Sequence, residues 1–180
     1  MSFPRVRAMI FVAVLFVTAG VVVITAINRD SQLLPPQDPC EPGQIRVNVD
    51  VPDEEQVTVN VYNATDRPGL AEQISNELAN RGFTANTMQG LPEGETYADA
   101  APYELAGYIF YGPEGVGAGW LVSAYFLDGE YVADFLEDKE GPEVDLILGA
   151  GFKQLTTQTE VNQRIADLGQ PEPPHGTCAA

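Results

Sequence analysis

The stretch VTVNVYNATDRPGLAEQISNELANRGF, residues 57–83, carries in order the marks of a strand, a turn, a helix and a stop. VTVNVY (57–62) alternates apolar and polar residues, the period of two that sets one face of a strand in a core. In PGLAEQISNELANRG, Leu70, Ile74 and Leu78 recur at four-residue spacing beside Ala71, Ser75 and Ala79, which makes one helix face apolar. Asp66 or Thr65 suits the cap of this helix, Pro68 its first turn and Gly82 the position just past its end. Helix N-termini expose amides that bind anions, and Asn63, Thr65 and Arg67 are placed to assist. The structural alternative is that Asn63 and Thr65 shape the turn while Asp66 competes with any anion. A phosphate loop ending in Gly-Lys-Ser/Thr is absent, so that mode of nucleotide binding is excluded.

Outward from this unit, IRVNVDV (45–51) alternates like a second half-buried strand, and FTANTM (83–88) continues as another. Residues 91–106 read as a loop, and the glycine-flanked aromatic run GYIFYG (107–112) as a buried strand. EGVGAGWLVSAYFL (114–127) reads as a helix with Val116, Trp120, Ala124 and Leu127 on one face, its small residues allowing close approach to a sheet. YVADFL (131–136) and EVDLILGAGF (143–152) are expected strands, and EVNQRIADLG a short closing helix. The sum is an α/β fold, a central mixed β-sheet covered by two main helices and preceded by one transmembrane helix.

That last element rests on AMIFVAVLFVTAGVVVITAI, residues 8–27, which carries no charge. Twenty helical residues span roughly 30 Å, the thickness of the hydrocarbon core. Arg5 and Arg7 precede the run and favour a cytoplasmic N-terminus, 1–7. A cleaved signal peptide is the alternative, but its cleavage site at VTA (17–19) would cut the run in half. Either reading exports the remainder: a Pro-rich stalk (28–44), an α/β domain (45–169) and a Pro/Gly-rich tail (170–180). Outside the cytoplasm, Cys40 and Cys178 are most simply a structural disulfide.

Residues 31–180 hold 6 basic and 25 acidic residues, a balance that argues against nucleic acid as a partner. His175 is the only histidine and lies in the tail, so no nucleophile–histidine system is evident. The acidic run DFLEDKEGPEVD (134–145) lacks the EF-hand spacing and reads as a solvated hairpin between strands. No metal or cofactor is expected. Tyr97 and Tyr103, in the long 91–106 loop, are the aromatics expected to be exposed, where rings stack on sugars or anchor a protein interface.

VTVNVYNAT into PGLA, then ELANRGF, the glycine-flanked YIFYGPEG, the small-residue helix and VDLILGAGF together resemble the LytR C-terminal domain family over about residues 55–153. Asn63, Thr65, Gly69, Leu70, Gly82, Phe83, Gly149 and Phe152 are the residues of the resemblance. With one N-terminal span and no catalytic domain, the chain resembles the stand-alone actinobacterial, membrane-anchored form. The resemblance implies a noncatalytic domain on the outer side of the plasma membrane that supports envelope integrity. It implies as partners envelope proteins such as the LytR–CpsA–Psr phosphotransferases that attach glycopolymers. The competing expectation is a module that binds peptidoglycan or attached polysaccharide directly. A hydrolase using carboxylates alone is a third, for which no pair of acids stands out.

Overall fold

The computed structural model describes Thr18, residues 40–127 and residues 130–180. The expected cytoplasmic segment 1–7, the span 8–27 apart from Thr18, and the stalk up to residue 39 lie outside the described residues. Among the described residues no helix is long and apolar enough to cross a membrane.

Residues 40–180 form one compact unit. In chain order its strands are β1 (Ile45–Val47), β2 (Thr58–Asn63), β3 (Thr84–Thr87), β4 (Gly107–Tyr111), β5 (Tyr131–Phe135), β6 (Val144–Leu148) and β7 (Thr177–Ala179). Its helices are α1 (Leu70–Asn80), α2 (Glu95–Asp99), α3 (Val116–Ser123) and α4 (Gln158–Leu168). Five strands make a mixed sheet in the order β3-β2-β6-β4-β5. The β2-α1-β3 and β4-α3-β5 units are parallel crossovers, and β6 closes the gap between them, parallel to β2 and antiparallel to β4.

The pleat sorts side chains between the two faces. Val59, Val61, Ile109, Leu146 and Leu148 pack under α1 and α3, with Leu70, Ile74, Leu78, Leu121 and Val122 above them and Val161 of α4 closing the cluster. Burying each such aliphatic side chain contributes about 1.5–3 kcal/mol. On the opposite face Tyr62, Tyr108, Phe110 and Ile147 form a separate cluster with Tyr103. The 91–106 segment, expected as a plain loop, contains α2 and brings Tyr97, Ala100 and Leu105 against this cluster.

Four expectations are corrected. Residues 48–51 are not strand: Asn48 N–H donates to Pro113 C=O at 2.8 Å and its carbonyl accepts from Gly117 N–H at 3.2 Å, so the chain lies over α3. A Cβ on Gly117 would sit 1.9 Å from the Asp50 carbonyl oxygen, which is why glycine occupies that position. Covered in this way, α3 is buried nearly all round rather than along one stripe, while Trp120 is half-buried and Leu127 is 46% exposed. The 143–152 strand stops at Leu148, where Gly149 N–H donates to Ala106 C=O and the chain turns. Residues 136–143 are no hairpin, because β5 is an edge strand and β6 lies beyond β4; the segment crosses past the C-terminal end of β4.

β1 pairs in parallel with β7 as a separate two-stranded ribbon, and Cys40 is bonded to Cys178 with Cα atoms 5.6 Å apart. The bond closes a sequence separation of 138 residues. Replacing both cysteines by serine is expected to lower unfolding stability by up to about 4–5 kcal/mol. Denaturant unfolding of the double variant against the oxidised parent measures this, and a reducing agent should lower only the parent.

Candidate functional site

The far face of the sheet carries a buried charge. Strand register aligns Asn60 with Asp145 and Asp145 with Phe110, and Asn86 with Asn60. Asp145, on the central strand, is only 4% exposed. Its Oδ1 accepts from Asn60 Nδ2 at 3.0 Å, and Asn60 Oδ1 accepts in turn from Asn86 Nδ2 at 3.1 Å. Its Oδ2 accepts from the Tyr97 hydroxyl and from Lys139 Nζ, each at 2.8 Å. A carboxylate held in a sheet interior needs such partners, because its desolvation is repaid only by pairing and hydrogen bonds.

Each partner arrives by its own local route. Asn60 follows from the β2 alternation. Tyr97 comes from α2, its ring edge-on to Phe110 at 4.8 Å. Lys139 comes from the crossover, where Leu136 N–H donates to Tyr111 C=O at 2.9 Å and Lys139 N–H donates to Leu136 C=O at 3.2 Å. Burial, and next the hydrogen bond to Asp145, push the Tyr97 phenol well above its usual value. Burial and the neighbouring Glu54 push Tyr125, under the helical face, up to about 12.

Beside the network lies a cavity of about 510 Å³ with Thr96 and Tyr97 on one side and residues 135–139 on the other. Glu137 and Asp138 are exposed at it and Lys139 is half-buried. Tyr103, expected to be exposed, is 9% exposed; its hydroxyl donates to the Tyr97 carbonyl at 2.5 Å, and its ring stands against Tyr108. Tyr97 is half-buried.

Asn63, Thr65 and Arg67 lie elsewhere and bond chiefly within their own junction. Asn63 Oδ1 accepts from Thr65 N–H and from the Thr65 hydroxyl, Thr65 Oγ1 accepts from Arg67 N–H, and Asn63 Nδ2 donates to Arg67 C=O. The Arg67 guanidinium donates to Phe152 C=O at 3.0 Å. The helix cap is Gly69 at φ 76°, with no side-chain cap, so neither Asp66 nor Thr65 serves. That left-handed φ suits glycine, which has no Cβ to clash. Gly82 follows the end of α1, and Leu70, Phe83 and Phe152 are buried. Among the described residues no group of three or more His, Cys, Asp or Glu is arranged to hold a metal ion.

The sequence singles out no role for Asn60, and the expectation that 134–145 is a solvated hairpin is corrected at Lys139 and Asp145, which pair against the sheet. The available signal was a carboxylate at the second position of the apolar run VDLIL, on the same strand face as Ile147.

This mixed sheet, with its crossover helices and glycine-marked junctions, is where the family can be read. The model of the LytR C-terminal family, described as LytR cell envelope-related transcriptional attenuator, matches residues 56–152, and the chain belongs to that family. No curated protein matches the chain. Among solved structures, the soluble domain of a conserved hypothetical secreted protein from Mycobacterium marinum is similar at 24% identity and a TM-score of 0.47, covering 74% of this chain and 84% of that one.

Removing Lys139 while Asp145 stays buried is expected to cost about 3 kcal/mol, the low end for a broken buried pair because Asn60 and Tyr97 still hydrogen-bond the carboxylate. Lys139→Met combined with Asp145→Leu is expected to recover most of that loss; chemical denaturation of the single and double variants checks it.

The raised phenols contribute to the fall of stability at alkaline pH. A fold that favours the neutral form keeps its full stability below the ordinary phenol value of 10.0 and loses it as pH climbs through the folded value, about 12 for Tyr125. Tyr125→Phe is therefore expected to flatten the fall in stability above pH 10, as read by denaturation midpoints across that range.

Proposed function

We propose that this chain is a noncatalytic extracytoplasmic accessory protein that supports bacterial envelope integrity by binding the enzymes that assemble envelope glycopolymers, the LytR–CpsA–Psr phosphotransferases. On this reading residues 8–27 anchor it in the plasma membrane with the N-terminus inside. The arrangement is similar to that of the mycobacterial cell envelope integrity protein Cei. Family membership supports the envelope association, and the Cys40–Cys178 disulfide suits an oxidising compartment outside the cytoplasm.

The observation that carries the reading is the open edge at β5. Among the described residues β4 is its sheet neighbour, and Val132, Ala133 and Asp134 are exposed. An unpaired edge offers a row of N–H and C=O groups to an added strand. Exposed Val132 supplies apolar contact, and Asp134 favours a Lys or Arg in the partner strand.

A photoreactive residue at Ala133 in living cells is expected to cross-link an envelope phosphotransferase, identified by mass spectrometry. Val132→Lys should reduce that adduct severalfold. Equal labelling from a probe at exposed Glu172, or no envelope-protein adduct at all, would overturn the reading.

A further inference from the structure

We propose that the cavity between Tyr97 and residues 135–139 is a binding site for an uncharged saccharide. Its volume of about 510 Å³ falls within the range of about 300–1,000 Å³ found for small-molecule sites. Its walls are chemically mixed. Tyr97, Phe135 and Leu136 give aromatic and aliphatic surface, while Thr96, Glu137, Asp138 and Lys139 give hydrogen-bonding groups.

Charge narrows the ligand. Among the described residues Lys139 is the only cation of the lining, and its ammonium already faces Asp145 at 2.8 Å. Glu137 and Asp138 remain exposed at the rim of a chain whose formal charge is −17. A phosphate, sulfate or carboxylate ligand would meet net repulsion. A simple ammonium ligand would suit the two carboxylates but would leave the apolar walls unused and approach Lys139. A pyranose answers the whole lining: hydroxyls donate to Glu137 and Asp138, ring oxygens or hydroxyls accept from the remaining Lys139 donors, and C–H faces cover the rings.

The site is also held in shape before any ligand arrives. Tyr97 is fixed at its hydroxyl by Asp145 and at its ring by Phe110, and Lys139 is fixed by the same carboxylate. Buried Asp145 therefore acts as a positioning residue that orients one group on each wall. Pre-set walls lower the ordering cost of binding. The cavity meets β5 at Phe135, whereas the open edge is presented by Val132, Ala133 and Asp134, which do not line it, so this site adds to the accessory role and does not depend on it.

Calorimetric titration of the full-length chain in detergent tests the proposal, with cellotetraose, the β-1,4-linked N-acetylglucosamine tetramer and a sulfated cellotetraose as probes. Saturable binding of at least one neutral tetramer is expected, with the sulfated probe at least tenfold weaker. Asp138→Asn, an exposed change that leaves the fold intact, is expected to weaken binding about tenfold, the scale of one charge-assisted hydrogen bond. Tyr97→Phe keeps the ring but frees it from Asp145 and should weaken binding less. Absence of binding at millimolar neutral sugar, equal binding of the sulfated probe, or an undiminished affinity in Asp138→Asn would each overturn the proposal. Val132→Lys is expected to leave sugar binding unchanged, so failure at the β5 edge and failure at the cavity are separately visible.

Discussion

A carboxylate in the middle of a sheet must be answered on every side, and Asp145 organises its face of this molecule through that demand. The central strand could have carried an aliphatic residue there, as it does at Leu146 and Ile147. With Asp145 in place, three separate segments must converge: β2 through Asn60, the α2 region through Tyr97 and the crossover through Lys139. Two irregular stretches that would otherwise be free to vary are thereby fixed against the sheet, and the hollow between them acquires a constant shape.

The opposite face follows a different logic. It is almost wholly apolar, with α1 and α3 folded back by parallel crossovers and α4 sealing the end. Its polar detail lies at the β2–α1 junction, where Asn63 and Thr65 satisfy nearby backbone and each other and Arg67 donates to Phe152 C=O, and around Tyr125, whose hydroxyl donates to Glu54 and whose ring lies under Arg81, itself donating to Thr156 C=O. One face is thus chiefly apolar packing, and the other sets a buried carboxylate among its apolar contacts.

Much of the fold was legible because it rests on local periodicity. The alternation in 57–62, the stripe of Leu70, Ile74 and Leu78, and the aromatic run 107–111 all became the expected elements. What was not legible depended on contacts distant in sequence. IRVNVDV alternates throughout, yet only 45–47 are strand, because Asn48 bonds to Pro113 and Gly117 instead. The stripe assigned to α3 assumed one covered face, and the overlying 48–51 segment covers a second. Tyr103 looked exposed because its loop is long, but the aromatic cluster on the far face recruits it. The candidate site was least legible of all: Asp145 stood in view within VDLIL, while Lys139 and Tyr97 became its partners only through the sheet order.

The joined ends of the domain have a mechanical meaning. Any tension arriving along the chain from residue 39 enters at Cys40, and there it divides between the backbone leading to β1 and the sulfur bridge to Cys178 within β7. Neither strand of the ribbon can be peeled away alone while that bridge holds. A tether pulling on this domain would load two chain ends at once, and the five-stranded sheet would feel the strain only after the ribbon had shared it.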